Sequence, residues 1–201
     1  MQNTKLNGKL KGKDLITIGI FSAIYFVIIF AFMLISGLHP MIWILLPGLI
    51  ALCTGIPYML LAAKVQKLGA VFLMGLITAL IYLATGQLTI VIVITYLICC
   101  ILAELVRYIT KYYSFTGNAL SFVCFSMGMV GSPLAIWLFK DSFLAQITEQ
   151  GMALDYVNTL ESLITNGMLV VVIIAPIIGA IIGAFIAKGL FKKHFVKAGI
   201  V

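Results

Sequence analysis

Acidic side chains are scarce in this chain, six Asp and Glu against thirteen Lys and Arg in 201 residues. Charged residues of every kind make up only 9% and hydrophobic ones 63%, with a mean hydropathy of +1.21. That balance excludes an ordinary soluble domain. Histidine occurs only at His39 and His194, and a single histidine without a second ligand at metal spacing makes a poor metal site. The four cysteines, Cys53, Cys99, Cys100 and Cys124, sit inside apolar runs without zinc spacing and read as small buried hydrophobes. There is no Walker loop, zinc-protease helix, serine–lysine pair or paired-aspartate arrangement. These absences argue for a protein that is not an enzyme and holds no metal and no resident cofactor.

What the chain has in abundance is long apolar runs, over residues 15–36, 41–63, 68–86, 88–110, 118–139 and 167–189. At 1.5 Å per residue, each reaches across a hydrocarbon core of about 30 Å. With the N-terminus inside, the inner segments hold Lys5, Lys9, Lys11 and Lys13, then Lys64 and Lys67, then Arg107 and Lys111, then Lys188, Lys192, Lys193 and Lys197. Only Lys140 falls outside. The positive-inside rule therefore predicts an all-α membrane protein of six transmembrane helices with both termini cytoplasmic. One integral membrane domain takes in residues 1–201, with cytoplasmic tails at 1–13 and 190–201 and an extracellular loop at 140–166. The expected location is a cell membrane, crossed several times. The net charge of +7 is placed to set topology and meet anionic headgroups, not to bind nucleic acid. The basic start is followed by too long an apolar run, without a small-residue cleavage site, to read as a cleavable signal peptide.

Local signals fill in the pattern. Asp14 suits the N-terminus of the first helix. Pro47 and Pro57, with Gly48 and Gly55, predict a kinked or interrupted second helix, and Gly128, Gly131 and Pro133 predict the same in the outer half of the fifth. The last outer connection holds four of the six acids, Asp141, Glu149, Asp155 and Glu161. Its apolar residues Phe143, Leu144, Ile147, Val157, Leu160, Leu163 and Ile164 recur at helical spacing, which predicts one or two amphipathic helices over the outer mouth. A long structured loop of this kind is usually functional. No inverted repeat is apparent, which weighs against a self-sufficient secondary transporter.

Three groups of residues are candidates for function. Gly19-x-x-x-Ala23 in the first helix and Gly179-x-x-x-Gly183 in the sixth each put two small residues on one face, where another backbone can approach. For the sixth helix, packing within the bundle is the preferred reading; for the first, a docking surface for another protein is the alternative. Glu104 and Arg107 lie three apart near the cytoplasmic end and read as a structural or partner-facing ion pair, with ion coupling at Glu104 as the competing reading. Around the outer mouth, His39, Trp43, Thr85, Gln87, Tyr96, Met129, Trp137, Asn158 and Asn166 combine aromatic walls with neutral polar groups, as a small-molecule pocket needs. Their neutrality favours an uncharged or zwitterionic aromatic ligand. A haem-like or corrinoid ligand, approached by His39 and the outer methionines, is the other option.

The opening Lys13-Asp14-Leu15-Ile16-Thr17-Ile18-Gly19-Ile20-Phe21-Ser22-Ala23-Ile24-Tyr25 and the closing Lys192-Lys193-His194-Phe195-Val196-Lys197-Ala198-Gly199-Ile200 resemble the substrate-binding S components of energy-coupling factor (ECF) transporters. The branch they look most like is the Trep_Strep family. The resemblance covers the whole chain. It implies a subunit of a bacterial cell membrane that captures a vitamin-like micronutrient outside and delivers it by docking, with toppling in the bilayer, to a transmembrane T subunit driven by two ATPases. The family's Ala-x-x-x-Ala docking motif would fall on Gly19 and Ala23, with glycine in place of the first alanine. Its pocket, in the outer parts of helices 4–6 under the first, third and fifth loops, would fall on His39, Thr85, Gln87, Tyr96, Met129, Trp137, Asn158 and Asn166.

Overall fold

A computed structural model describes residues 8–84 and 89–191. The described residues form nine α-helices: α1 (Gly12–Ser36), α2 (Pro40–Lys64), α3 (Ala70–Ala84), α4 (Ile90–Ile109), α5 (Phe115–Ser126), α6 (Gly131–Leu138), α7 (Lys140–Glu149), α8 (Leu154–Ser162) and α9 (Asn166–Leu190). Among them there is no strand. The helices α1, α2, α4 and α9, and the stretch Phe115–Leu138, are long and apolar enough to cross a membrane. The third apolar run gives a shorter helix of 15 residues.

Local chemistry sets the helix ends. The Asp14 carboxylate accepts from the Lys11 backbone N–H at 2.7 Å, satisfying an orphan donor at the start of α1. The same oxygen accepts from Lys67 Nζ at 2.5 Å, tying α1 to the connection after α2. The helix thus begins at Gly12, two residues inside the segment expected to be a tail. Pro40 opens α2, where its missing N–H costs nothing, and Thr89, Ser114 and Thr165 cap α4, α5 and α9 with their hydroxyls.

Two expectations about broken helices have different outcomes. Despite Pro47 and Pro57, α2 is not interrupted and stays helical over all 25 residues; it is the most buried of the long helices, so its neighbours keep it helical through both sites of lost bonding. The fifth span does break, into a 3₁₀ turn over Met127–Val130 between α5 and α6. There Gly128 lets the backbone come against Tyr96, and Gly131 brings it against Ile92 and Thr95 of α4. Thr95 Oγ1 lies 3.0 Å from the Gly128 carbonyl oxygen, within donating distance, beside the Gly131 N–H that the same carbonyl accepts from inside the turn.

The core is built on α2. Along its length α9 lies backbone to backbone: a Cβ at Gly48 would be 2.8 Å from that of Ala175, and one at Gly183 would be 2.6 Å from the Leu52 carbonyl oxygen. Gly179-x-x-x-Gly183 is therefore consumed by packing inside the bundle. An aromatic cluster fills the centre, with Tyr58 against Phe122 and Phe125, and Tyr25 and Tyr96 set edge-on to Phe125. A second, smaller core at the other end joins Ile44, Val130, Ile136 and Val172 to Leu160 of α8. The long outer connection is thus two helices, α7 and α8, packed onto the bundle.

Candidate functional site

Under α7 and α8 lies a cavity of about 430 Å³, within the range of about 300–1,000 Å³ usual for small-molecule sites. One wall is the outer half of α1, where Phe26 and Phe30 stack on each other with centroids 5.9 Å apart. Trp43 and Leu46 of α2 and Tyr82 of α3 form the next. The roof is one face of α7, carrying Phe143, Gln146, Ile147 and Gln150, joined by Tyr156 and Leu160 of α8. Phe143 closes on Trp43 with ring centroids 5.4 Å apart. Ser36, Thr89 and Ser132 add hydroxyls around the rim.

The roof is held by few bonds. Tyr156 donates its hydroxyl to the Ser36 carbonyl at the end of α1, at 3.1 Å, and burial pushes its phenol up to about 12, so it remains a donor at any physiological pH. Lys140 reaches Glu161 at 2.8 Å, a bond that raises the ammonium's pKa; both groups are about half exposed, and exposed pairs contribute little. Between the helices Gly151 takes φ +84°, a left-handed conformation that glycine adopts without strain. Tyr156→Phe should leave the bundle folded but loosen the roof by about 1 kcal/mol. Amide hydrogen exchange will read this as loss of protection confined to residues 140–162, and unchanged protection there would refute the latch.

The sequence candidates divide by place. Trp43 lines the cavity. Thr85 and Gln87 lie outside the described residues, between the lining residues Tyr82 and Thr89. The fold sends the others elsewhere. His39 is the N-cap of α2, its Nδ1 accepting from the Met41 N–H at 3.1 Å, so that nitrogen is committed to the helix end. Tyr96 is in the aromatic core, 5.7 Å from Phe125 between ring centroids. Met129 is buried where the 3₁₀ turn points inward, its sulfur accepting from the Tyr82 hydroxyl at 3.8 Å. Trp137 donates Nε1 to the Thr165 carbonyl at 3.3 Å, bracing the start of α9. Asn158 and Asn166 are exposed to solvent.

The cavity thus sits mainly among α1, α2, α3 and the roof, with Thr89 and Ser132 as the contributions of the fourth and fifth spans, in place of the expected position among helices 4–6. The residues that sequence reasoning missed are Phe26, Phe30, Gln146, Gln150 and Ser132. For the two glutamines a signal existed: they fall four apart, on the face of the amphipathic segment that also carries Phe143 and Ile147.

At the opposite end of the bundle, Glu104 and Arg107 of α4 close two helix termini. Glu104 accepts from the backbone N–H groups of Gly69, Val71 and Phe72 at 2.9, 3.1 and 3.1 Å, capping the positive end of α3. Arg107, fully buried, donates Nη2 to the carbonyls of Ala62 and Val65 at 3.1 and 2.8 Å, at the negative end of α2, and Nε to Asn118 Oδ1 at 3.2 Å. Each charge meets the helix pole of opposite sign. The two residues approach each other only to 3.9 Å. On α1, by contrast, Gly19 and Ala23 are exposed, and a Cβ at Gly19 would meet nothing within 4 Å.

Among the described residues no group of three or more His, Cys, Asp and Glu is placed to hold a metal ion. No curated protein and no solved structure matches the chain. A family profile does match, over residues 12–197. The chain belongs to Trep_Strep, a family described as hypothetical bacterial integral membrane proteins.

Proposed function

We propose that this protein is the substrate-capture subunit of an ECF-type importer, binding a vitamin-like micronutrient at the outer face and passing it on by docking to a T subunit driven by two ATPases. The observation that carries this reading is the roofed cavity of about 430 Å³ at one end of a bundle whose charged residues at the other end serve structure. A capture subunit needs a site and a docking surface, and it borrows its energy. The exposed Gly19 and Ala23 on α1 suit close approach of a partner helix, whereas the matching motif on α9 is spent on α2. A stand-alone transporter coupled at Glu104 is the second reading. It is disfavoured because that carboxylate is engaged by three backbone N–H groups at the start of α3, and releasing them would uncap the helix.

Gly19→Trp and Ala23→Trp test the docking surface. Each should lower ATP-dependent uptake by at least about tenfold, the range for blocking a closely packed helix contact, with the purified chain keeping its thermal midpoint and ligand binding. Normal uptake by both variants would overturn the docking assignment. Uptake by the purified chain alone in liposomes, lost in Glu104→Gln, would establish the stand-alone transporter instead.

A further inference from the structure

The chemistry of the cavity wall narrows what enters it. No charged side chain is among its described lining residues. The charges closest in sequence are turned to other tasks or other faces. Lys140 is held by Glu161, and Glu149 and Asp155, next to Gln150 and Tyr156 in sequence, are not among the lining residues. A ligand with a fixed charge would leave water for a wall offering no counter-charge, which is strongly disfavoured.

Aromatic rings set the shape. Phe26 and Phe30 stack on each other along α1, with 29° between their planes, and Trp43 with Phe143 forms a second lining pair. Such walls favour a flat π-system that stacks or meets ring edges. The polar groups then select its rim. Gln146 of α7 and Gln150, which caps the C-terminus of that helix, are four residues apart and both line the cavity from positions open to solvent, and each carboxamide both donates and accepts. Thr89 uses an oxygen lone pair to cap α4, which leaves its hydroxyl hydrogen free to donate.

We infer that the cavity takes an uncharged, flat heteroaromatic ligand whose lactam or amide edge is read by Gln146 and Gln150. This rests on the capture reading above for its biological meaning, and on the cavity alone for its chemistry. A lactam edge sets a C=O beside an N–H, so one carboxamide can meet both with a donor and an acceptor, and the second extends the contact along the ring. His39 is committed to capping α2 and does not line the cavity, so the site offers no imidazole to a metal-bearing tetrapyrrole.

The test uses the full chain in lipid nanodiscs at pH 7.5 and four bicyclic probes of similar size, titrated by calorimetry: quinazolinone (neutral, lactam edge), quinoline (neutral, no lactam), N-methylquinolinium (cation) and quinaldate (anion). Quinazolinone should bind about tenfold tighter than quinoline, the scale of a hydrogen-bonded edge, and both charged probes should bind more weakly than either. Gln146→Ala and Gln150→Ala should each bring quinazolinone toward the quinoline value and leave quinoline unchanged. A charged probe matching quinazolinone, glutamine variants that weaken quinoline equally, or no binding by any probe overturns the inference. The two readings fail separately. ATP-dependent uptake of a charged probe with the T subunit and ATPases present would discard the ligand class and keep the capture function. The predicted binding pattern without ATP-dependent uptake of quinazolinone would do the reverse.

Discussion

Arg107→Ala should leave the protein largely unfolded or aggregated, with a loss of about 3–5 kcal/mol, the scale for removing one partner from a buried charged network. The side chain is fully buried and among the largest that are. Removing it strands the carbonyls of Ala62 and Val65 at the end of α2, leaves Asn118 Oδ1 without its donor, and empties the space beneath the Tyr112 ring, whose centroid lies 5.2 Å from the guanidinium carbon. Arg107→Lys should rescue little, because one ammonium cannot span a planar set of acceptors that the guanidinium fork meets at once. Glu104→Gln is expected to be milder, about 1–3 kcal/mol, since the amide keeps one acceptor oxygen for the three donors of α3. Thermal melts followed by fluorescence size-exclusion in detergent will rank the three. An alanine variant melting within about 3 °C of the parent, less than 1 kcal/mol in a domain of this size, would show that the network is dispensable.

That network also shows what sequence could and could not reveal. Spacing placed Glu104 and Arg107 together near the inner end, but nothing local says that each reaches across to a different helix terminus, because the partners are backbone groups some 30 to 45 residues away. The run over 68–86 gives a helix of only 15 residues, but the five long apolar helices and the two helices between residues 140 and 166 were legible from apolar runs and period. The walls of the cavity were not. In a soluble helix the apolar stripe marks the inside, but a membrane helix is apolar on every side, since lipid is as acceptable a neighbour as the core. Phe26 and Phe30, which line the cavity, therefore read the same as Ile20 and Val27, 54% and 65% exposed and outside it. Tyr96 and Met129 misled for a related reason: their depth along the helix suggested the outer mouth, whereas their azimuth points them into the aromatic core.

The helix α1 links the two ends of the molecule. It is the least buried of the long helices, and its inner half leaves Gly19 and Ala23 open while its outer half supplies a cavity wall. Polar bonds fasten it at both ends, through Asp14 to Lys67 and through the Ser36 carbonyl to Tyr156 of the roof. A partner helix laid against Gly19 and Ala23 would therefore press on the same rigid rod that carries Phe26, Phe30 and the anchor of the roof.

The two small-residue motifs provide the sharpest comparison. Gly55→Ala and Gly183→Ala should each destabilise the protein by about 1–3 kcal/mol, the range for overpacking a core, and Gly19→Ala should not. A Cβ at Gly183 would be 2.6 and 2.8 Å from the carbonyl oxygens of Leu52 and Ala51, and one at Gly55 would be 2.8 Å from the Gly183 Cα. These obstacles are backbone, so no rotamer change relieves them and α2 and α9 must separate along their length. Gly19 faces open space, where alanine removes the helix penalty of glycine, up to about 1 kcal/mol, and its melting temperature should hold or rise. Under the capture function proposed above, ATP-dependent uptake should invert the order for bulk: Gly19→Trp should block transport in a protein that still melts normally, whereas Gly183→Ala should transport poorly only in proportion to the folded protein lost. A Gly183→Ala variant as stable as the parent, or a Gly19→Ala variant several degrees less stable, would mean that the two helices do not divide the work between holding the bundle and meeting a partner.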